Sequence, residues 1–205
     1  MIQKASHHPV IYPFFGLYTL LKLKITFRKI IIRGNYMSSD KPILLISNHI
    51  SWWDGFWAWY LNHKVFRHRF WFMMLDEQLR RHSFFNRTGG FSVKKNSRSI
   101  LESIDYAAGL LSEKNNLVLI FPEGRIGSMH KNDFTFEKGT GRIAGKSAGT
   151  ASIIFLASII DYGSSPKPFL FMYFVEYTNG KRDYQQLQEA YKKFYGEPLE
   201  THLQS

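Results

Sequence analysis

The chain has 205 residues, 27 of them lysine or arginine against 16 acidic residues, which gives a net charge of +11 and a sequence pI of about 9.8. This length fits one domain with a sizeable hydrophobic core, and the absence of cysteine excludes disulfides and cysteine-ligated zinc. The excess of positive charge favours an anionic partner, either anionic lipid or an acidic carrier protein, and nucleic acid is disfavoured because no recognised nucleic-acid-binding motif is present.

The N-terminal part of the chain is apolar and aromatic. The apolar run from 9 to 21 is too short to cross a bilayer, and four cations between 22 and 29 interrupt any extension of it. A secretory signal is also disfavoured, because no small-residue cleavage site is evident. We therefore predict a helical membrane-interface segment over residues 1–24, followed by a domain over residues 25–205. The alternative is that this helix packs on the core of the domain.

The next elements lead into a histidine. Residues 25–32 predict a strand with interspersed cations, and Ile43–Ile46 predict a short buried strand. His49 follows this second strand, and Ser51 is a suitable N-cap for the apolar, aromatic helix that comes next. His49 therefore lies in a strand-to-helix turn, where the side chains of α/β proteins usually meet substrate.

His49 and Asp54 form a candidate catalytic pair. On a regular helix a separation of five residues would leave their side chains roughly 140° apart, so they converge only if His49 precedes the helix. An imidazole beside a carboxylate is a general base, because the carboxylate fixes the tautomer and stabilises the cation formed on proton uptake. The same residues also fit a capping box, in which Asp54 bonds back to Ser51 and His49 is a hydrogen-bonded turn histidine.

Two later segments have the same strand-and-turn character. Thr88–Lys95 is a glycine turn that enters a brief extended piece ending in two lysines. Leu117–Phe121 predicts a buried strand that runs directly into Pro122–Arg125. Each alone is typical of an ordinary strand exit or a solvated lysine pair, but the order and spacing of all three segments favour a shared site.

The remainder of the chain alternates helices and strands. Ser99 opens a capping box before an apolar helical stripe, and the long apolar runs 152–160 and 169–177 predict strands. A stripe of aromatic and aliphatic residues from 184 to 194 predicts a final amphipathic helix. We predict a single α/β domain with a central mixed sheet flanked by helices.

These segments resemble the glycerolipid (lysophospholipid) acyltransferase family. The resemblance rests on three blocks, Asn48–Asp54, Gly90–Lys95 and Phe121–Arg125, and a weaker match continues through Lys138-Gly139 to the apolar run 152–160. The family implies an O-acyltransferase of phospholipid biosynthesis with a central sheet flanked by helices.

The resemblance also implies roles for individual residues. His49 would be the general base, with Asp54 as its partner, and would deprotonate an acceptor hydroxyl that attacks the thioester of acyl-coenzyme A or acyl carrier protein. No cofactor beyond this co-substrate and no metal is implied. The residues implied to bind substrate are Phe91, Lys94, Lys95, Glu123, Gly124 and Arg125.

The sequence departs from the family pattern at the positions that bear on the acceptor. Lys95 stands where the family usually has an arginine, and lysine offers a point charge in place of a planar fork. Many members also insert a threonine before the residue equivalent to Arg125. The acceptor is therefore open among a lysophospholipid, a lyso-amino-acid lipid and a glycolipid, and a non-catalytic basic membrane-binding protein is the alternative from another class. The expected partners are a lipid acceptor, the acyl donor and an anionic membrane surface, with peripheral (monotopic) attachment to the cytoplasmic face of a membrane.

Overall fold

Within the described residues, seven strands form one mixed sheet at the centre of the molecule. The structure, a computed structural model, describes residues 2–37, 39–94, 99–131, 133–178 and 180–203. The strands are β1 (Lys29–Arg33), β2 (Ile43–Ser47), β3 (Arg69–Leu75), β4 (Gly90–Val93), β5 (Asn116–Ile120), β6 (Ser152–Asp161) and β7 (Phe169–Tyr177). The helices are α1 (Ile11–Thr26), α2 (Asp54–Leu61), α3 (Asp76–Arg81), α4 (Ile100–Leu110), α5 (Lys138–Lys146) and α6 (Tyr184–Leu203).

The strand order is β1-β7-β6-β2-β5-β3-β4. The strands from β6 to β4 run parallel, whereas β7 is antiparallel to β6 and carries β1 parallel beside it. Central β2 and β5 are buried along their whole length, which explains why they read as unbroken apolar runs instead of alternating patterns. The parallel strands therefore all end at one edge of the sheet.

Helices cover both faces of the sheet. The α1 and α2 face contains the buried side chains of Phe15, Trp57 and Phe70, and the α4, α5 and α6 face contains those of Ile104 and Tyr191. This architecture confirms the predicted single α/β domain with a central mixed sheet flanked by helices.

The first helix differs from the prediction at its C-terminal end. Residues 25 and 26, predicted to begin a strand, continue α1, and β1 begins only at Lys29. The β-branched Ile25 and Thr26 favour strand intrinsically, but the helix continues through them until the Phe27 N–H bonds the Leu23 carbonyl. Ile25 and Thr26 are themselves exposed, and the buried side chains that anchor this end of the helix are those of Leu23 and Phe27.

One side of α1 packs on the domain and the other is exposed. Phe15, Thr19 and Leu23 are buried, and before the helix Ser6 N–H donates to the Asn86 carbonyl while Gly89 N–H donates to the Ser6 carbonyl. The exposed side carries large apolar residues: Val10, Phe14, Leu17, Tyr18, Leu21 and Ile25. No helix within the described residues combines the length and apolarity needed to cross a bilayer.

Candidate active site

The carboxyl edge of the sheet brings two of the predicted motif segments together. His49 follows β2, and the turn Phe121–Arg125 follows the neighbouring strand β5, which pairs with β2 up to Ile46 and Ile120. A cavity of about 820 Å³ opens at this edge and is lined by His49 together with residues from both faces of the sheet.

His49 and Asp54 meet because His49 lies before the helix. The helix α2 begins at Asp54, three residues after the predicted cap Ser51. Asp54 Oδ2 accepts hydrogen bonds from His49 Nδ1–H (2.8 Å), Ile50 N–H (2.6 Å) and Ser51 N–H (2.9 Å). One carboxylate oxygen therefore bonds the imidazole and also caps the first turn, so the two sequence interpretations are compatible.

The electrostatics of the pair are those of a buried carboxylate. The Asp54 side chain is 1% exposed, and its Oδ1 has no hydrogen-bond partner among the described residues. Burial raises the pKa of Asp54, while the hydrogen bonds from His49, Ser51 and Ile50 oppose that rise. The His49 side chain is 21% exposed, and its Nε2 has no hydrogen-bond partner within the described part of the chain. An imidazole held through Nδ1 with Nε2 open to a cavity can accept a proton there.

Contacts with the turn after β5 hold the imidazole in place. The His49 ring stacks on the Phe121 ring, with centroids 4.0 Å apart and planes 14° apart. Gly127 N–H donates to the His49 carbonyl at 2.7 Å. The ring is therefore held by the carboxylate and by an aromatic face, and the backbone of His49 is held by the loop.

Asn48 and Tyr191 anchor the backbone just before the imidazole. The Asn48 amide pairs with Ser158 in both directions, donating to its carbonyl (2.8 Å) and accepting from its N–H (2.9 Å). The hydroxyl of Tyr191 accepts from Asn48 N–H (2.7 Å) and donates to the Leu156 carbonyl (2.6 Å). Sequence reasoning placed Tyr191 only on the apolar stripe of the last helix, because nothing in a single sequence pairs it with position 48.

We expect Tyr191→Phe to lower the free energy of unfolding by about 1–3 kcal/mol, because it leaves two buried backbone groups without this partner. Thermal or denaturant unfolding measures the effect. Tyr177→Phe is the matched control, because the Tyr177 hydroxyl bonds the Lys181 carbonyl at the surface and its loss should change stability by less than about 0.5 kcal/mol. Equal losses in the two variants would contradict an anchoring role for Tyr191.

The three residues of the turn after β5 that were predicted to bind substrate differ from one another in their surroundings. Glu123 is buried and does not line the cavity; its Oε1 accepts from Lys131 Nζ (3.1 Å) and Thr135 N–H (3.3 Å), which ties down the loop that follows. Gly124 has φ of +58°, a conformation that costs other residues roughly 1–2 kcal/mol. Gly124 and Arg125 both line the cavity, and the exposed guanidinium of Arg125 has no ion pair with any described residue.

The second predicted block contributes less to the cavity. Phe91 is fully buried in the core, with its ring 5.1 Å from that of Tyr106, so it supports the sheet and does not line the cavity. Lys94 is exposed and also lies outside the cavity wall. Lys95 lies outside the described residues, so its role stays a prediction.

The cavity has an aromatic end and a cationic end. Five aromatic side chains from the α1 and α2 face line it: Phe15, Phe56, Phe70, Phe72 and Phe85. On the other face, Lys138 and Arg142 of α5 line it. Sequence reasoning assigned neither set to the site, because phenylalanines read as core and the glycine-rich α5 carries no apolar run. Within the described residues no group of three or more His, Cys, Asp or Glu side chains is arranged to hold a metal ion.

Comparison with known proteins gives a family match for the sequence and a similar fold among solved structures. The model of the family described as Acyltransferase matches residues 29–159, a stretch that includes His49, Asp54 and the turn after β5. No curated protein matches the sequence significantly. Among solved structures, the fold is similar to the crystal structure of the 1-acyl-sn-glycerophosphate (LPA) acyltransferase PlsC from Thermotoga maritima, with a TM-score of 0.63 and 16% identity over 93% of this chain and 79% of that chain.

Proposed function

The chain belongs to the acyltransferase family, whose model matches more than half of its length, and we propose that it moves a fatty acyl chain from a thioester donor to the hydroxyl of an anionic glycerolipid acceptor. The observation that carries the proposal is the His49–Asp54 pair, whose Nε2 has no hydrogen-bond partner among the described residues and stands at a cavity with an aromatic end and a cationic end. The donor is acyl-coenzyme A or acyl carrier protein, and no further cofactor is required.

In the proposed reaction His49 acts as a general base. Its Nε2 takes the proton of the acceptor hydroxyl while that oxygen bonds the thioester carbonyl carbon. The C–S bond then breaks, and the leaving thiolate takes the proton back from Nε2. Asp54 holds Nδ1–H at 2.8 Å, so its negative charge stabilises the imidazolium formed between the two proton transfers.

The lining of the cavity supports an anionic lipid as acceptor. Arg125 lies two residues before Gly127, whose N–H bonds the His49 carbonyl, so this cation belongs to the same loop that contacts the base. A phosphate on the glycerol backbone lies only a few bonds from the reacting hydroxyl and needs a fixed cation near the base. The aromatic end offers an apolar surface for an acyl chain.

The test is purified protein with acyl-coenzyme A and a panel of lyso-lipids, scored by product mass. We expect product with lysophosphatidic acid and less product with a lyso-amino-acid lipid or a neutral glycolipid. Product only with a zwitterionic or neutral acceptor would contradict the anionic acceptor. No product with any acceptor would favour the alternative of a non-catalytic basic membrane-binding protein.

A peripheral position on a membrane is the second part of the proposal, and the cytoplasmic face stays a prediction. The exposed side of α1 carries Phe14 (68% exposed), Leu17 (56%) and Leu21 (53%), whose spacing places them on one helical face. Trp52, which lines the cavity, and Phe84 are also exposed. An exposed apolar helix face, together with an exposed Trp52 at the cavity, suits a protein that draws lipid from a bilayer surface. Cations on the same helix add attraction to anionic lipid.

We expect the triple variant Phe14→Ser/Leu17→Ser/Leu21→Ser to lose most of its binding to anionic vesicles, because burying each such side chain contributes about 1.5–3 kcal/mol. Vesicle sedimentation at moderate salt measures this. Tyr162→Ser/Val175→Ser is the control, since these residues are exposed elsewhere, and it should bind like wild type. Point variants are preferable to deleting residues 1–24, because residues 6 to 8 hydrogen-bond the 86–89 segment. Full sedimentation of the triple variant would place the membrane contact elsewhere.

A further inference from the structure

Two cations of α5 line the cavity. Lys138 and Arg142 are exposed, and neither forms an ion pair with a described residue. They are four residues apart, so they share one helix face about 6 Å apart along the axis. By contrast, Lys146 of the same helix pairs with Asp105 at 2.9 Å and does not line the cavity.

Like charges at this spacing destabilise a helix slightly. Glu137 is the single acidic residue among the described residues that line the cavity, which also holds Arg125. The cavity wall therefore has an excess of positive charge in a setting that is otherwise largely apolar. Such a wall favours an anion with more than one charge or an anion that extends along the helix.

The cations of α5 are additional to the cation of the turn after β5. Glu137 N–H donates to the Pro122 carbonyl at 2.8 Å, which places the start of α5 beside the turn after β5. From there the helix runs on, packed against α4 and α6, so Arg142 lies one turn beyond Lys138. Arg125 belongs instead to the loop whose Gly127 N–H bonds the His49 carbonyl.

We propose that Lys138 and Arg142 bind the phosphate groups of the acyl donor. This rests on the proposed acyl transfer, because it assigns the second substrate to the same cavity. Coenzyme A and acyl carrier protein share a pantetheine arm that ends in a phosphate, and this arm separates the phosphate from the thioester by many bonds. The two additional cations of α5, with Arg142 one turn beyond Lys138, suit that phosphate, whereas the phosphate of a lysophospholipid lies only a few bonds from its hydroxyl and suits Arg125 in the loop bonded to His49.

The test is steady-state kinetics of Lys138→Ala/Arg142→Ala with palmitoyl-coenzyme A, with palmitoyl-acyl carrier protein and with a palmitoyl-N-acetylcysteamine thioester that has no phosphate. We expect the KM for at least one phosphate-bearing donor to rise about tenfold or more, with the KM for lysophosphatidic acid nearly unchanged. The phosphate-free donor should be used equally by both proteins. Lys146→Ala, the matched control, should behave as wild type, and Arg125→Ala should raise the KM for the acceptor instead. Whichever carrier shows the effect is the natural source of the phosphate.

An unchanged donor KM in the double variant, or a rise only in the acceptor KM, would overturn the assignment. Calorimetric titration with coenzyme A and with holo-acyl carrier protein separates this failure from failure of the proposed function. Binding of either carrier by wild type, lost in the double variant, would support the subsite even if no acyl transfer were found. If wild type binds neither carrier and shows no turnover, the assignment of a donor subsite is overturned.

Discussion

Replacing His49 by alanine is expected to reduce acyl transfer about 10²–10⁴-fold, the usual cost of removing a general base. The geometry supports this expectation because Nδ1 is bonded to Asp54 at 2.8 Å while Nε2 has no partner among the described residues. The fold should survive, since the lost contacts are one hydrogen bond and one ring stack on Phe121, which together contribute about 1 kcal/mol. Turnover of lysophosphatidic acid with acyl-coenzyme A, alongside thermal unfolding, measures both effects.

His63→Ala is the matched control for this experiment. His63 is exposed and stacked on an aromatic ring, with centroids 5.2 Å from Trp59, but it does not line the cavity. His63→Ala should leave the rate of acyl transfer unchanged, although it removes a ring stack similar to the one that His49 makes with Phe121. A His49→Ala protein that turns over like wild type would end the catalytic interpretation, and equal losses in the two variants would point to a general effect on stability.

The sequence was most informative where a short apolar run meets a polar turn. Central β2 and β5 are buried on both faces, so their positions could be read directly, and the turn placement of His49 predicted that it meets Asp54. The start of α2 was harder to predict: Ser51 is a good N-cap by type and its N–H does bond Asp54 Oδ2, yet the helix begins only at Asp54. The bond between Asp54 and Ser51 is present as the capping box predicts, but the helix begins three residues after Ser51.

What could not be predicted depends on contacts between distant parts of the chain. Tyr191 bonds Asn48 across 143 positions, and periodicity can only assign such a residue to a core stripe. Phe91 and Phe85 are both apolar and both buried, yet only Phe85 lines the cavity. Composition cannot separate these two cases, because the difference lies in whether neighbouring elements close over the ring.

Asp54→Asn is expected to slow acyl transfer by about 10²–10⁴-fold, and the structure indicates how. The amide oxygen should remain at the Oδ2 position, because Ile50 and Ser51 N–H both point to it and an NH₂ group there would oppose two donors. His49 would then keep its Nδ1–H tautomer and lose only the negative charge that stabilises the imidazolium. Nitrogen-15 NMR of His49 measures the tautomer directly, and a switch to Nε2–H would contradict this account.

The Asp54→Asn substitution should also change how the free energy of unfolding depends on pH. Burial raises the pKa of Asp54, so this carboxyl stabilises the fold while protonated, below its ordinary pKa near 4, and loses that contribution as the pH rises through the raised value. Asparagine does not titrate, so this component of the pH dependence of unfolding should be absent from the variant. At pH 7 removal of a buried charge is favourable, but the NH₂ at the unpartnered Oδ1 position costs about 1–3 kcal/mol. We expect the two effects to offset each other to within about 1 kcal/mol, as measured by denaturant unfolding.

The double variant His49→Ala/Asp54→Asn decides whether the two residues act as one unit. If Asp54 contributes to the rate only through the imidazole, its loss should cost little once the imidazole is gone, and the double variant should be about as slow as His49→Ala alone. If Asp54 instead acts only by capping α2, through the Ile50 and Ser51 N–H groups, its effect on the rate should be the same with or without His49. The rates of wild type, the two single variants and the double variant, measured with the same acceptor and donor, give the coupling energy between the two residues. Additive losses would remove Asp54 from the catalytic pair and leave it as the cap of α2.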